Sequence, residues 1–205
     1  MGGLQLEYQK EGKMRQNNSY KLLSMVIAAL LCAIGIIIPM FSPLKILLEP
    51  ASFTLASHVP IYIAMFISPA IAVSVALITG FGFLFAGFPI VVVLRALTHI
   101  VFAALGAIIL KKKSNILHSA SSTILFALVI SVVHAISEVI VVTIFYWGNQ
   151  MSEIYYNKGY LVTVIGLVGL GTVIHSMIDF GIAAFVWKPL KNVVSIPVSA
   201  SFKSK

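Results

Sequence analysis

The chain has 205 residues, of which 60% are hydrophobic and 10% charged, with a mean hydropathy of +1.04 and a formal net charge of +8. A soluble domain carries about 25% charged residues, so composition excludes that class and indicates a polytopic membrane protein. The positive surplus does not indicate nucleic acid, because the cations stand in short loops and tails beside apolar runs, where they set topology.

Residues 1–19 are polar and read as a mobile cytoplasmic tail. Its first residues, MGGLQLEYQKEGKM, read as partly added by cloning, with Met14 a candidate natural start. The first apolar run is too long for a cleavable signal peptide, and no small-residue cleavage pattern follows it. The single cysteine, Cys32, lies inside that run, so no intrachain disulfide framework is available.

The first span is expected from about Tyr20 to Met40, ended by Pro39 and Pro43. Residues 41–55, FSPLKILLEPASFTL, form an outer loop too short and broken to span, placed to fold back over the bundle mouth. A short second span starts near Ala56 and ends at Ile67, before the Ser68-Pro69 turn. The third covers Ala70 to Ala86 and the fourth Pro89 to Leu110, closed by Lys111, Lys112 and Lys113. The fifth runs from Ser119 to Trp147, a length that implies tilt. A polar outer loop follows over residues 148–159, then a sixth span from Tyr160 to Trp187. Residues 191–205 form a basic cytoplasmic tail, and residues 20–190 the membrane domain.

The expected fold is therefore an all-α integral membrane protein, a single bundle of six transmembrane helices with both termini cytoplasmic. Charge placement agrees with this orientation. The two tails and the Lys111–Lys113 loop hold eleven of the fourteen Lys and Arg residues, and the outer loops hold only Lys45 and Lys158. The remaining cation, Arg95, lies inside the fourth span, PIVVVLRALTHIVFAALGAIIL. Arginine at such a depth costs at least a few kcal/mol, so it has an interior partner or a function.

Arg95 and His99 are spaced i, i+4 and share one helix face. His134 and Glu138, and His175 and Asp179, repeat that spacing. At about 1.5 Å rise per residue, Arg95 lies about 9 Å and His99 about 15 Å below the outer end of the fourth helix. Glu138 and His134 lie about 13 and 20 Å deep on the fifth, and His175 and Asp179 about 22 and 28 Å deep on the sixth. Arg95, His99, His134 and Glu138 can thus converge in the outer half, whereas Asp179 is expected too deep to join them. Arg95 and Glu138 form either a structural ion pair or the wall of an outward-open polar pocket. His175 and Asp179 either pair with each other or meet a ligand, His58 is a pocket rim or a solvated residue, and His118 a solvated one. Tyr146, Trp147, Tyr155, Tyr156 and Tyr160 form an interfacial aromatic belt, or some stack on a flat ligand with Asn149 or Asn157 donating hydrogen bonds. Ala29 and Ala33 make a small-residue face for close helix approach, a pattern that Ala103 and Ala107 repeat.

The chain resembles the substrate-binding S components of energy-coupling factor (ECF) vitamin transporters over about residues 20–190. The similarity lies in size, six spans, both ends inside, the long first outer loop and Ala29/Ala33. The stretches SFTLASHVPIYIAMFISP (52–69) and GFPIVVVLRALTHIVFA (87–103) look most like the niacin-type members. The resemblance implies a vitamin pocket formed by the first outer loop and the outer halves of helices four to six. Arg95, His99, His134, Glu138, Tyr146, Asn149, Asn157 and His58 are the substrate-binding candidates, with niacin (nicotinic acid) favoured over pantothenate, folate or pyridoxine. It also implies docking through Ala29 and Ala33 to a membrane T component with two ATPases, in a prokaryotic cell membrane. The chain has no G-x-x-x-x-G-K-[ST] phosphate loop, so ATP use falls to those partners and no cofactor is expected here. Neither catalytic residues nor metal ligands are expected. An intramembrane metalloenzyme built on His134, Glu138, His175 and Asp179 is disfavoured, because H-E-x-x-H is absent and the depths separate the two carboxylates. A stand-alone proton-coupled transporter using Glu138 or Asp179 is the other competing class.

Overall fold

The computed structural model describes residues 2–48, 51–193 and 196–202. Helix α1, Gly2–Phe41, passes through Pro39 and stops shortly after it. Its first half replaces the irregular tail expected from the sequence. The segment is rich in Leu, Gln, Glu, Lys and Arg, all good helix formers, and residues 7–19 are exposed along its length. The loop after α1 is not plain coil either. Strands β1 (Lys45–Leu48) and β2 (Ala51–Thr54) pair antiparallel, with Lys45 opposite Thr54 and Leu48 opposite Ala51. The fold is an all-α membrane protein with this one hairpin added at the bundle mouth.

Helix α2, Val59–Ile67, is the centre of the packing, and all nine of its residues are buried. Pro60 sits in its first turn, where a missing N–H costs nothing. Ser68 adopts an extended conformation before Pro69 and ends the helix. The Ser68 hydroxyl then accepts a hydrogen bond from the Ile71 N–H at 3.2 Å and caps α3, Pro69–Phe85. Nine residues at about 1.5 Å each reach about 14 Å, half of a hydrocarbon core about 30 Å thick. The second span expected from the sequence is therefore only about half the length of a full crossing.

Helix α4, Ile90–Lys112, and α5, Ala120–Trp147, follow the apolar runs to within a few residues. A short 3-10 turn, Ile116–His118, joins them, and Ser119 caps α5 by accepting from the Ser122 N–H. The loop after α5 contains the short helix α6, Glu153–Asn157. The last span is one continuous helix of two kinds. A π-helical stretch, Leu161–Leu170, runs directly into α7, Gly171–Leu190. Four helices among the described residues are long and apolar enough to cross a membrane: α1, α4, α5 and the joined π-helix and α7. Helix α3, with 17 residues, falls just short.

The core is built from rings and small residues. Phe66 packs edge-on against Phe180 at 5.7 Å and tilted against Trp187 at 5.9 Å, and Tyr62 meets Phe180 at 5.2 Å. Gly106 lets α4 approach α2 so closely that a Cβ there would lie 2.4 Å from the Met65 sulfur. Ala103 and Ala107 are fully buried beside it, so this small-residue face serves internal helix packing. Ala29 and Ala33, by contrast, are exposed on α1. Residues 196–202 fold back under the bundle. Ser199 and Ala200 donate from their backbones to Ile67 and Phe66 at 2.9 and 3.0 Å, and the Trp187 indole donates to the Ala200 carbonyl at 3.3 Å. The expected tail cations Lys203 and Lys205 lie outside the described residues.

Candidate ligand-binding site

Three buried polar stripes meet inside the bundle. Helix α4 contributes Arg95 and His99, α5 contributes Ser131, His134 and Glu138, and α7 contributes Thr172, His175, Ser176 and Asp179. The spacings of three and four residues keep each stripe on one helix face. His58, just before α2, enters from the fourth side.

Two knots of hydrogen bonds result. In the first, Arg95 Nη2 donates to Glu138 Oε2 at 2.8 Å, and the Thr172 hydroxyl donates to the same oxygen at 2.6 Å. Glu138 Oε1 lies 3.5 Å from Nε2 of both His99 and His134, a contact too long to count as a good hydrogen bond. In the second, Asp179 accepts from the Ala56 N–H at 2.8 Å and from the His58 N–H at 2.9 Å. The His58 ring adds Nδ1 to Asp179 Oδ2 at 3.0 Å, and His175 Nε2 stands 3.3 Å from that oxygen. Ser57 bridges the His58 and His175 rings at 3.3 and 3.2 Å. His134 holds Ser176 through Nδ1 at 3.2 Å, and Ser176 also bonds the Tyr62 hydroxyl. The His58 ring links the knots, with its centroid 4.7 Å from both His99 and His134 and 4.9 Å from His175.

Asp179 therefore belongs to the site, contrary to the depth expected for it. Two features of the chain remove the separation. A π-helix closes i→i+5 turns, so the stretch before α7 advances less per residue than an α-helix would. In addition, the chain before α2 dips into the bundle and carries His58 down to Asp179.

Above the knots lies a cavity of about 440 Å³, within the usual range for a small-molecule site. Arg95, His99, Glu138, His58 and His175 form its polar wall, and Phe53, Phe83, Phe88 and Tyr155 supply rings. Among its lining residues Lys45 and Arg95 carry positive charge and Glu138 negative charge, a balance that suits an anion. The β-hairpin closes one side, because Phe53 packs where a Cβ on Gly171 would stand 2.6 Å from its ring.

Four of the sequence candidates, His58, Arg95, His99 and Glu138, line this cavity, and His134 is buried behind it. Tyr146, Asn149 and Asn157 do not line it. The Tyr146 ring packs among Trp147, Tyr156 and Tyr160 at 5.5, 4.9 and 5.4 Å. Asn149 is an exposed turn residue with φ of 53°, and Asn157 is exposed at the end of α6. The same loop instead presents Gln150, Met151, Ser152 and Tyr155. Thr172 and Ser176 escape a search for ionisable groups, although their place on the Asp179 stripe marks them.

No protein-family model matches the chain, and no solved structure matches it. The niacin transporter NiaX of Lactococcus lactis subsp. cremoris (strain MG1363) is 38% identical over 191 residues, covering 93% of this chain and 84% of that protein. The chain belongs to the NiaX-like family of S components. Within this NiaX-like chain, the two stretches that carried the resemblance supply His58, Arg95 and His99 to a single wall.

The second knot makes a direct prediction. Asp179→Ala leaves the part-buried Ala56 N–H and the buried His58 N–H without an acceptor, the latter costing about 1–3 kcal/mol. The variant should melt well below the wild type in detergent, and protease should cut within residues 41–58 where it spares the wild type. An unchanged melting curve with unchanged protection would show that Asp179 does not hold the loop.

Proposed function

We propose that this NiaX-like protein is the vitamin-binding subunit of an ECF importer in a prokaryotic cell membrane, and that its ligand is nicotinate. The observation that carries the proposal is the cavity with Arg95 in its wall, in a chain similar to a named niacin transporter. Nicotinate is flat, aromatic and anionic. A guanidinium has five N–H donors in a fixed fork, so one arginine can serve Glu138 and a ligand carboxylate together. Phe53, Phe88 and Tyr155 offer ring faces nearby, and of the five outer-loop aromatics expected to stack on a ligand, Tyr155 lines the cavity. Capture on the outside is followed by docking to a T component and two ATPases, which hydrolyse the ATP.

The orientation proposed has six membrane segments, α2 being a half-span, and both ends inside. Helix α4 ends at Lys111 and Lys112, and α7 ends beside Lys188 and Lys191. The alternation of α4, α5 and the last helix puts these cations at one end, where positive-inside placement wants them. The cavity then opens outward beside Lys45. Single cysteines at Lys112 and Asn157, in a Cys32→Ser background, should react with an impermeant reagent from opposite sides. Reaction from the same side would overturn this topology.

The docking face proposed is the exposed side of α1 around Ala29 and Ala33, flanked by exposed Met25, Val26, Leu30 and Ile37. Ala29→Trp or Ala33→Trp should abolish complex formation and uptake while sparing vitamin binding. Loss of binding with an intact complex would reverse the assignment.

Charge recognition is tested on Arg95. A charge-assisted hydrogen bond contributes about 1.5–3 kcal/mol, so Arg95→Ala should weaken nicotinate binding at least about tenfold. Arg95→Lys keeps the charge without the fork and should rescue only part. Nicotinamide lacks the carboxylate, so wild-type protein should bind it far more weakly, and the gap should narrow in Arg95→Ala. Titration calorimetry supplies the constants. Equal weakening of both ligands would show that Arg95 holds the bundle through Glu138 and does not read the carboxylate.

A further inference from the structure

The histidines at the inner end of the cavity are more numerous and closer together than an anion site needs. Candidate ligand atoms of His58, His99 and His134 all lie within 4.8 Å of one another, and all three residues are buried. Ring nitrogens normally find partners when buried. Here both nitrogens of His99 and Nε2 of His134 have no hydrogen-bond partner. The outer atoms are already committed. His58 gives Nδ1 to Asp179 at 3.0 Å, and His134 gives Nδ1 to Ser176 at 3.2 Å. A carboxylate only accepts, so the His58 proton sits on Nδ1 and its Nε2 carries the lone pair. Carboxylate or hydroxyl partners behind imidazoles are the arrangement that orients histidines toward a metal ion.

We propose that His58, His99 and His134 form a three-imidazole site for a zinc-class divalent ion, with the open coordination position facing the cavity. Three histidines plus an exchangeable position are a common set for such an ion. Bond lengths of about 2.0–2.1 Å in a tetrahedron place ligand atoms about 3.4 Å apart, so the rings draw in by about 1 Å on binding. Glu138 Oε1, 3.5 Å from two of the rings, stands beside the ion as a further ligand or as the acceptor for its bound water. His58 and His99 line the cavity, which leaves that side open to an incoming donor. The ion adds to the positive charge that Lys45 and Arg95 already bring to the cavity, so the site still favours an anionic ligand. The neighbouring set of His58, His175 and Asp179 is less apt, because its members already satisfy one another and Ser57. This proposal departs from the metal-free site expected from the sequence, and it stands on the histidines whatever the vitamin is.

The test uses the full chain in detergent, stripped with chelator and titrated with Zn²⁺ by calorimetry and with Co²⁺ by visible absorption. Wild type should bind one ion per chain and give a tetrahedral Co²⁺ spectrum. His99→Gln and His134→Gln should each weaken binding at least tenfold. Ser176→Ala, which removes the hydroxyl behind His134, should weaken it less and shift the Co²⁺ bands. His118→Gln, at an exposed position, should change nothing. Melting curves of both histidine variants, read beside their affinities, separate loss of fold from loss of the ion. Wild-type protein that takes up no stoichiometric ion, or affinity untouched by both His99→Gln and His134→Gln, overturns the site. Nicotinate titration of the stripped protein separates the two proposals. Vitamin binding without any metal uptake removes this site and leaves the vitamin pocket standing, and metal uptake without vitamin binding does the reverse.

Discussion

The carboxylate of Asp179 decides where helix α2 begins. It accepts two backbone N–H groups and one imidazole N–H at the N-terminal end of that helix. A buried carboxylate is costly without such donors, and the first N–H groups of a helix are orphaned without such an acceptor. Each need answers the other, and the helix dipole adds a favourable field. The consequence is spatial. With its start held at Asp179, the nine-residue α2 fills only one end of the bundle, and the cavity lies beyond its N-terminal end. The β-hairpin and the loop before α6 cover that volume, while His58 floors it.

The long helices are legible in the sequence because their limits are chemical. Proline, lysine and the Ser-Pro pair stop apolar runs wherever membrane insertion allows, and α3, α4 and α5 end near those marks. Depth is less legible. Counting residues assumes an α-helical rise and a full span, and the chain violates one assumption at Leu161–Leu170 and the other at α2. Both deviations act in the same direction, drawing Asp179 and His58 toward His99 and His134. The aromatic loop shows a different limit. Tyr146 and Tyr155 carry the same chemistry, and only the turn through Asn149, with its positive φ, determines which of them reaches the cavity. The alanine pairs show a third. Ala29/Ala33 and Ala103/Ala107 have one pattern, and only packing separates a face used inside the bundle from one left exposed.

The Arg95–Glu138 pair is both a structural tie and a part of the site. A buried ion pair is poor evidence of net stability, because desolvation offsets most of the attraction. Its value here lies in position. Through Glu138 it joins α4 to α5, and through Thr172 it reaches α7, one residue from Gly171 against which Phe53 of the hairpin packs. The Arg95 guanidinium therefore belongs to a bond set shared by three helices. The nearest element outside the helices is the hairpin, held at this point by apolar contact between Phe53 and α7. The polar wall and the hairpin at the mouth are thus joined through one turn of α7.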